Sequence, residues 1–131
     1  MSRIFMSYSR RDGAYANQLF RALSRLHVSG FLDQTDIAAG ASFGEQLKDA
    51  IRDADAVVVL LSENSVQSNF VMVEAGFAWG LGKRIIPVIP PDALISLGEV
   101  PPILQDLQIL DARQQTPEET ADQIAQAVQP V

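Results

Sequence analysis

The chain has 131 residues, 47% apolar and 20% charged, with a net charge of −6. That is one domain with room for a real core. The composition excludes a disordered or fibrous protein, and the acidic balance excludes a surface built to coat nucleic acid. No cysteine is present, which rules out disulfides, thiolate nucleophiles and thiolate metal sites. The start, Met-Ser-Arg-Ile-Phe-Met-Ser-Tyr, lacks the apolar stretch of a signal peptide. The longest apolar runs, near 56–61 and 70–81, are far too short for a membrane span, so a cytoplasmic location is expected. Residues 1–27 carry five Arg against Asp12 alone, and residues 33–63 carry seven acids against Lys48 and Arg52. A solvated surface is the default reading of such asymmetry; the alternatives are head-to-tail self-association or an anionic ligand near the N-terminal segment.

Short apolar runs alternate with amphipathic stretches. Arg3–Ser7 reads as a strand, and Ala14–Leu26 as a helix with Ala16, Leu19, Phe20, Leu23 and Leu26 on one stripe. Val28–Leu32 is a second strand, closed by a loop from Asp33 to Ala41. Ser42 and Glu45 form a capping-box pattern for a helix whose face is Phe43, Leu47, Ala50, Ile51 and Ala54. Ala56–Leu61 is a continuous apolar run, as expected of a central parallel strand covered on both sides. A helix around 70–80 ends near Gly80 and Gly82, with Lys83 and Arg84 placed at its negative end. Arg84–Ile89 is the fourth strand, stopped by Pro90-Pro91. A Pro-rich loop leads to a short strand at Leu107–Leu110. Thr116-Pro117-Glu118-Glu119 then caps a last helix striped by Ala121, Ile124, Ala125 and Val128. Five strands alternating with helices predict an α/β fold: a flavodoxin-like, doubly wound, five-stranded parallel sheet with helices on both faces.

Ligands in such sheets bind at the carboxyl ends of the strands, here Ser7–Asp12, Asp33–Phe43, Ser62–Phe70 and Ile89–Asp92. The loop after the first strand has no Gly-rich phosphate fingerprint, which excludes a Rossmann dinucleotide site and a P-loop. A phospho-receiver needs an aspartate at the end of the third strand, and Leu60-Leu61-Ser62 has none. The only histidine, His27, lies in the turn before the second strand, which argues against a Ser-His-Asp hydrolase, and His27 reads as a helix C-terminal residue. No cluster has metal-ligand spacing.

One acid stands out. Glu74 lies in Phe70-Val-Met-Val-Glu-Ala-Gly-Phe-Ala-Trp79, with Phe70, Val71, Phe77 and Ala78 as its helical neighbours and no basic residue before Lys83. A carboxylate buried among such neighbours costs roughly several kcal/mol unless it is partnered or its pKa rises, and carboxylates held that way in clefts often carry chemistry. A Glu reaching a backbone N–H or the helix rim would look the same in sequence. Trp79, out of step with Glu74, is expected to pack.

Five pieces in order, Arg3–Asp12, Phe31-Leu32-Asp33 with its loop to Gly40, Ile51–Ser62, Ser68–Glu74 and Lys83–Val88, resemble a TIR (Toll/interleukin receptor) domain across nearly the whole chain, 1–131. Members of that family are signalling adaptors or enzymes that cleave NAD at the nicotinamide–ribose bond. The enzymes resemble this chain in having a glutamate four residues after an aromatic on the third helix, which Glu74 and Phe70 match, with Phe70 where Trp is common and Ser68 two residues before it. The resemblance thus implies a bacterial-type NAD glycohydrolase or cyclase of immune, anti-phage signalling. NAD is its substrate, no cofactor is needed, and the domain is excised from or partnered with a larger sensor protein. Glu74 would be catalytic. Phe70 would stack on nicotinamide, unless it is a core aromatic, and Arg10 and Arg11 would contact phosphate or ribose, unless they form a solvated turn, with Ser9, Asp33 and Ser68 as further substrate-binding candidates. Enzymatic members also complete the site with the loop Asp33–Ala41 of a neighbouring protomer. Two other readings stay open. One is a non-enzymatic scaffold. The other rests on Glu74–Val88, which also resembles nucleoside deoxyribosyltransferases, where a glutamate attacks the sugar C1.

Overall fold

The computed structural model describes residues 2–34 and 45–128. Five strands, β1 (Ser2–Tyr8), β2 (Val28–Gln34), β3 (Ala56–Leu60), β4 (Arg84–Ile89) and β5 (Leu110–Asp111), form one sheet of order β2-β1-β3-β4-β5. Every pairing is parallel. The helices are α1 (Gly13–Arg25), α2 (Glu45–Asp53), α3 (Asn69–Gly80), α4 (Pro102–Gln105) and α5 (Pro117–Val128). The doubly wound α/β sheet expected from the alternation of elements is therefore present.

The sheet separates two cores. Ile4, Met6, Tyr8, Val58 and Leu60 pack with α1 and α5, while Phe5, Val57, Val59 and Leu61 pack with α2 and α3. This is why the β3 run is apolar without alternation: both of its faces are covered, and all five residues are fully buried. Gly30 of β2 pairs with Ile4 of β1, and a Cβ there would lie 2.1 Å from the Ile4 carbonyl oxygen. Pro87 survives inside β4 because of strand alternation. The Val88 carbonyl accepts from Leu61 N–H of the β3 side at 2.7 Å, and the Ile89 carbonyl from Ala112 N–H at 2.9 Å. Pro87 shares Ile89's side, where β5 pairs only with Val88 and Ile89, so its missing N–H interrupts no ladder.

Several elements differ from the sequence reading. β1 begins one residue earlier and ends one later, and β2 runs on to Gln34. β5 is Leu110–Asp111 instead of Leu107–Leu110: Leu107 N–H closes the turn after α4 onto Leu104, and Leu107 and Ile109 pack into the α3-side core. A single-turn helix, α4, and a 3-10 turn at Leu97–Glu99 occupy the Pro-rich connection. α3 closes with Gly82 at φ +70°, its N–H on the Trp79 carbonyl and Lys83 N–H on the Ala78 carbonyl, a Schellman ending. Lys83 and Arg84 do not serve this helix end with their side chains. Lys83 Nζ donates to the carbonyls of Arg52, in the last turn of α2, and of Ala54, just beyond it, and Arg84 to that of Ala127 on α5. Cations complement helix carboxyl ends here as expected, but those of other helices. The capping pair Ser42–Glu45 begins outside the described residues.

Candidate active site

The carboxyl ends of β1 and β3 flank the point where strand order reverses, the usual ligand crevice of an open parallel sheet. After β1, Ser9 caps a 3-10 turn of Arg10–Asp12, accepting from Arg11 N–H. Asp12 then reaches across to the loop after β3. It accepts from Ser62 Oγ at 2.5 Å and from Asn64 Nδ2 at 3.4 Å. Ser62 Oγ accepts in turn from the N–H groups of Asn64 and Ser65, both at 3.1 Å. Since a charged acceptor strengthens each bond in such a chain, this clasp holds the two loops in one arrangement. A cleft of about 490 Å³ opens beside it, lined among others by Arg11, Tyr15, Glu63 and Asp92. Burial raises the Tyr15 phenol pKa there, against a smaller opposite effect of Thr120.

Glu74 lies on the inner face of α3 with Val71, Ala75 and Ala78, and is 0% exposed. Its Oε1 accepts from Ser7 Oγ at 2.5 Å. Ser7 is likewise fully buried, near the end of β1 on the face shared with Phe5. The register sets Asp33 of β2 directly opposite Ser7. The structure thus gathers Glu74, Ser7 and the backbone of Asp33 at one carboxyl end, with Ser9, Arg10 and Arg11 at the exit of the same strand. Both arginines are exposed. Ser68 is the N-cap of α3: its Oγ accepts from Val71 N–H at 3.3 Å, so its hydroxyl already serves the helix that carries Glu74. Phe70 stands one turn before Glu74 on that helix, and its side chain, like that of Asp33, lies outside the described residues. Residues 35–41 of the Asp33–Ala41 loop lie outside them too.

Trp79 corrects an expectation: it is 61% exposed instead of packed. Its helical position falls outside the arc of Val71, Glu74, Ala75 and Ala78 that faces the sheet. His27 lies just beyond α1 at φ +62°, exposed and before β2, away from the carboxyl ends of the strands. Sequence reasoning missed Ser7 and the Asp12–Ser62–Asn64 clasp. A serine two positions after Phe5 in an inward-facing strand register was a readable signal for the first. The clasp joins residues some 50 positions apart and left none. Among the described residues no group of three or more His, Asp or Glu could hold a metal ion. No described helix is long and apolar enough to cross a membrane.

A family model described as the TIR domain matches residues 4–128. The chain belongs to the TIR-domain family. No curated protein sequence matches it significantly. Among solved structures, the TIR domain of the Toll-related receptor TRR-2 from Hydra magnipapillata is similar at a TM-score of 0.66 and 20% identity, covering 95% of this chain and 91% of that one. The TIR domains of the activated Roq1 resistosome, which directly recognises the pathogen effector XopQ, reach 0.73 at 16% identity, covering 98% and 100%. The Clostridium botulinum CMP N-glycosidase BcmB reaches 0.60 at 15% identity, covering 96% and 99%. These identities speak to the fold.

Proposed function

We propose that this TIR domain is an NAD glycohydrolase or cyclase in which Glu74 is the catalytic carboxylate. The observation that carries the reading is a fully buried acid, fixed by a 2.5 Å hydrogen bond from Ser7 at the carboxyl end of the central strands. Nicotinamide in NAD is already a cationic leaving group. The C1–N bond breaks with its electron pair passing to the ring nitrogen, and nicotinamide departs neutral without a general acid. What remains is to hold the ribose and oppose the positive charge developing at C1. Glu74 does this electrostatically while binding the ribose hydroxyls, or by attacking C1. Water then adds at C1, releasing a proton and ADP-ribose, or a nucleophile of the same molecule closes a cyclic isomer. Phe70 stacks on the nicotinamide ring, Arg10 and Arg11 contact the diphosphate, and Ser9 and Asp33 line the ribose side.

Because Glu74 is fully buried, a substrate reaches it only when the groups over it move aside. That requirement fits a site that opens on assembly, with the loop Asp33–Ala41 of one protomer serving the next in an immune signalling complex with a linked or separate sensor. The similarity to TIR domains of a resistosome supports the assembly half of this reading.

A second reading, a nucleotide or nucleoside N-glycosidase or deoxyribosyltransferase, is favoured by the structural similarity to a CMP N-glycosidase. Purified protein incubated with NAD, and separately with CMP and with deoxynucleosides, then chromatographed, tests both. Nicotinamide from NAD, lost in Glu74→Gln, is expected. Base release from CMP or deoxynucleosides alone selects the second reading. No release from either at any protein concentration leaves a scaffold.

A further inference from the structure

On the face of β1 that looks toward α3, Phe5 is followed two positions later by Ser7, and both are fully buried. Alanine or valine at position 7 would pack there without needing a partner, whereas a buried hydroxyl requires one. Ser7 has its partner in Glu74. As a contribution to core stability this pair is inefficient, since replacing both members of a buried polar pair by apolar groups of the same shape is often neutral or stabilising. The pair therefore calls for a reason other than packing.

The anchoring strand is suited to one. β1 is hydrogen-bonded on both sides, to β2 along its whole length and to β3 over Ile4–Ser7, so the Cα of Ser7 is fixed by the middle of the sheet. Glutamate has three side-chain torsions, and a carboxylate that must meet a ribose has to be held within a fraction of an ångström. We propose that Ser7 is a positioning residue for Glu74: its hydroxyl fixes the carboxylate's rotamer and commits Oε1 to the protein, which orients the group for the reacting sugar. This inference rests on the reading of Glu74 as the acid of N-glycosidic cleavage.

Steady-state cleavage of NAD by wild type, Ser7→Ala, Ser7→Cys and Glu74→Gln, with thermal melts of each, tests it. The series Ser, Cys, Ala weakens the donor stepwise while changing shape little. In Ser7→Ala, kcat should fall about ten-fold or more with KM changed less than about two-fold, the pattern of an interaction that matters in the transition state. Ser7→Cys should fall between Ala and wild type. A purely structural role predicts that activity follows the melting temperature instead of donor strength, and that ordering overturns the inference. So does a wild-type kcat in Ser7→Ala or in Ser7→Cys while Glu74→Gln is inactive, which leaves the reading of Glu74 standing. A fully active Glu74→Gln, or a wild type without NAD cleavage, overturns that reading itself and the positioning role with it.

Discussion

Removing a buried carboxylate relieves its desolvation but strands whatever was bonded to it. Glu74→Ala removes the desolvation of a buried acid, yet leaves the Ser7 hydroxyl without its acceptor, a loss of about 1–3 kcal/mol. The two effects oppose each other, so the variant should fold with a melting temperature near wild type and release no nicotinamide, as checked by melts beside chromatography. A variant that unfolds would assign Glu74 to structure. His27 offers a stability test away from the site. At φ +62° it occupies a conformation that favours glycine, and it is exposed. His27→Gly should stabilise the fold by about 1 kcal/mol, read as a raised urea midpoint with NAD cleavage unchanged. At this scale the sequence showed that Glu74 was an acid in apolar company, because helical spacing alone defines its neighbours. It did not show the hydrogen bond to Ser7, which joins residues 67 positions apart and exists only once α3 lies on β1.

Elements were legible in proportion to their length. α1, β3, β4 and α5 were readable because each carries a full apolar period or run, and the Thr116–Glu119 box is present as written: Glu119 N–H donates to Thr116 Oγ1 at 3.2 Å and Thr116 N–H to Glu119 Oε1 at 3.0 Å. α4 and β5 are four and two residues long, too short for periodicity to register. Lys83 and Arg84 were read as closing their own helix because sequence shows only neighbours along the chain, and their acceptors lie at the ends of α2 and α5. Gly30 gives the sharpest test of the sheet. Any Cβ would meet the backbone of Ile4, which has no rotamer to escape into, so Gly30→Ala should push β2 from β1 and cost about 1–3 kcal/mol by denaturant titration. Because β2 carries Asp33 beside Ser7, cleavage should fall along with stability.

For the molecule as a whole, the charge distribution and the buried acid bear on assembly. If a neighbour's Asp33–Ala41 loop completes the site, specific activity should rise with protein concentration. Substitutions such as Gly40→Pro or Asp33→Ala should then suppress activity without unfolding the domain. An inactive Glu74→Ala protein mixed with an inactive loop variant should recover part of the activity, because each supplies what the other lacks. A basic N-terminal segment meeting an acidic 33–63 region describes a head-to-tail contact, which builds open filaments when its rotation does not close. Flat specific activity from dilute to concentrated protein, with no recovery on mixing, overturns the composite site and leaves a self-sufficient monomer.

The sheet that divides the core also divides the risk of change. Ser7 and Glu74 meet on the face of the sheet that packs with α2 and α3, whereas Ala125 and Val128 belong to the core on the opposite face, with α1 and α5. Substitutions in sites that far apart and without shared partners usually add to within about 0.5 kcal/mol. The rear layer is therefore a reserve for anyone altering this protein: stability gained at Ala125 or Val128 would be available to offset variants around Glu74 without altering their chemistry.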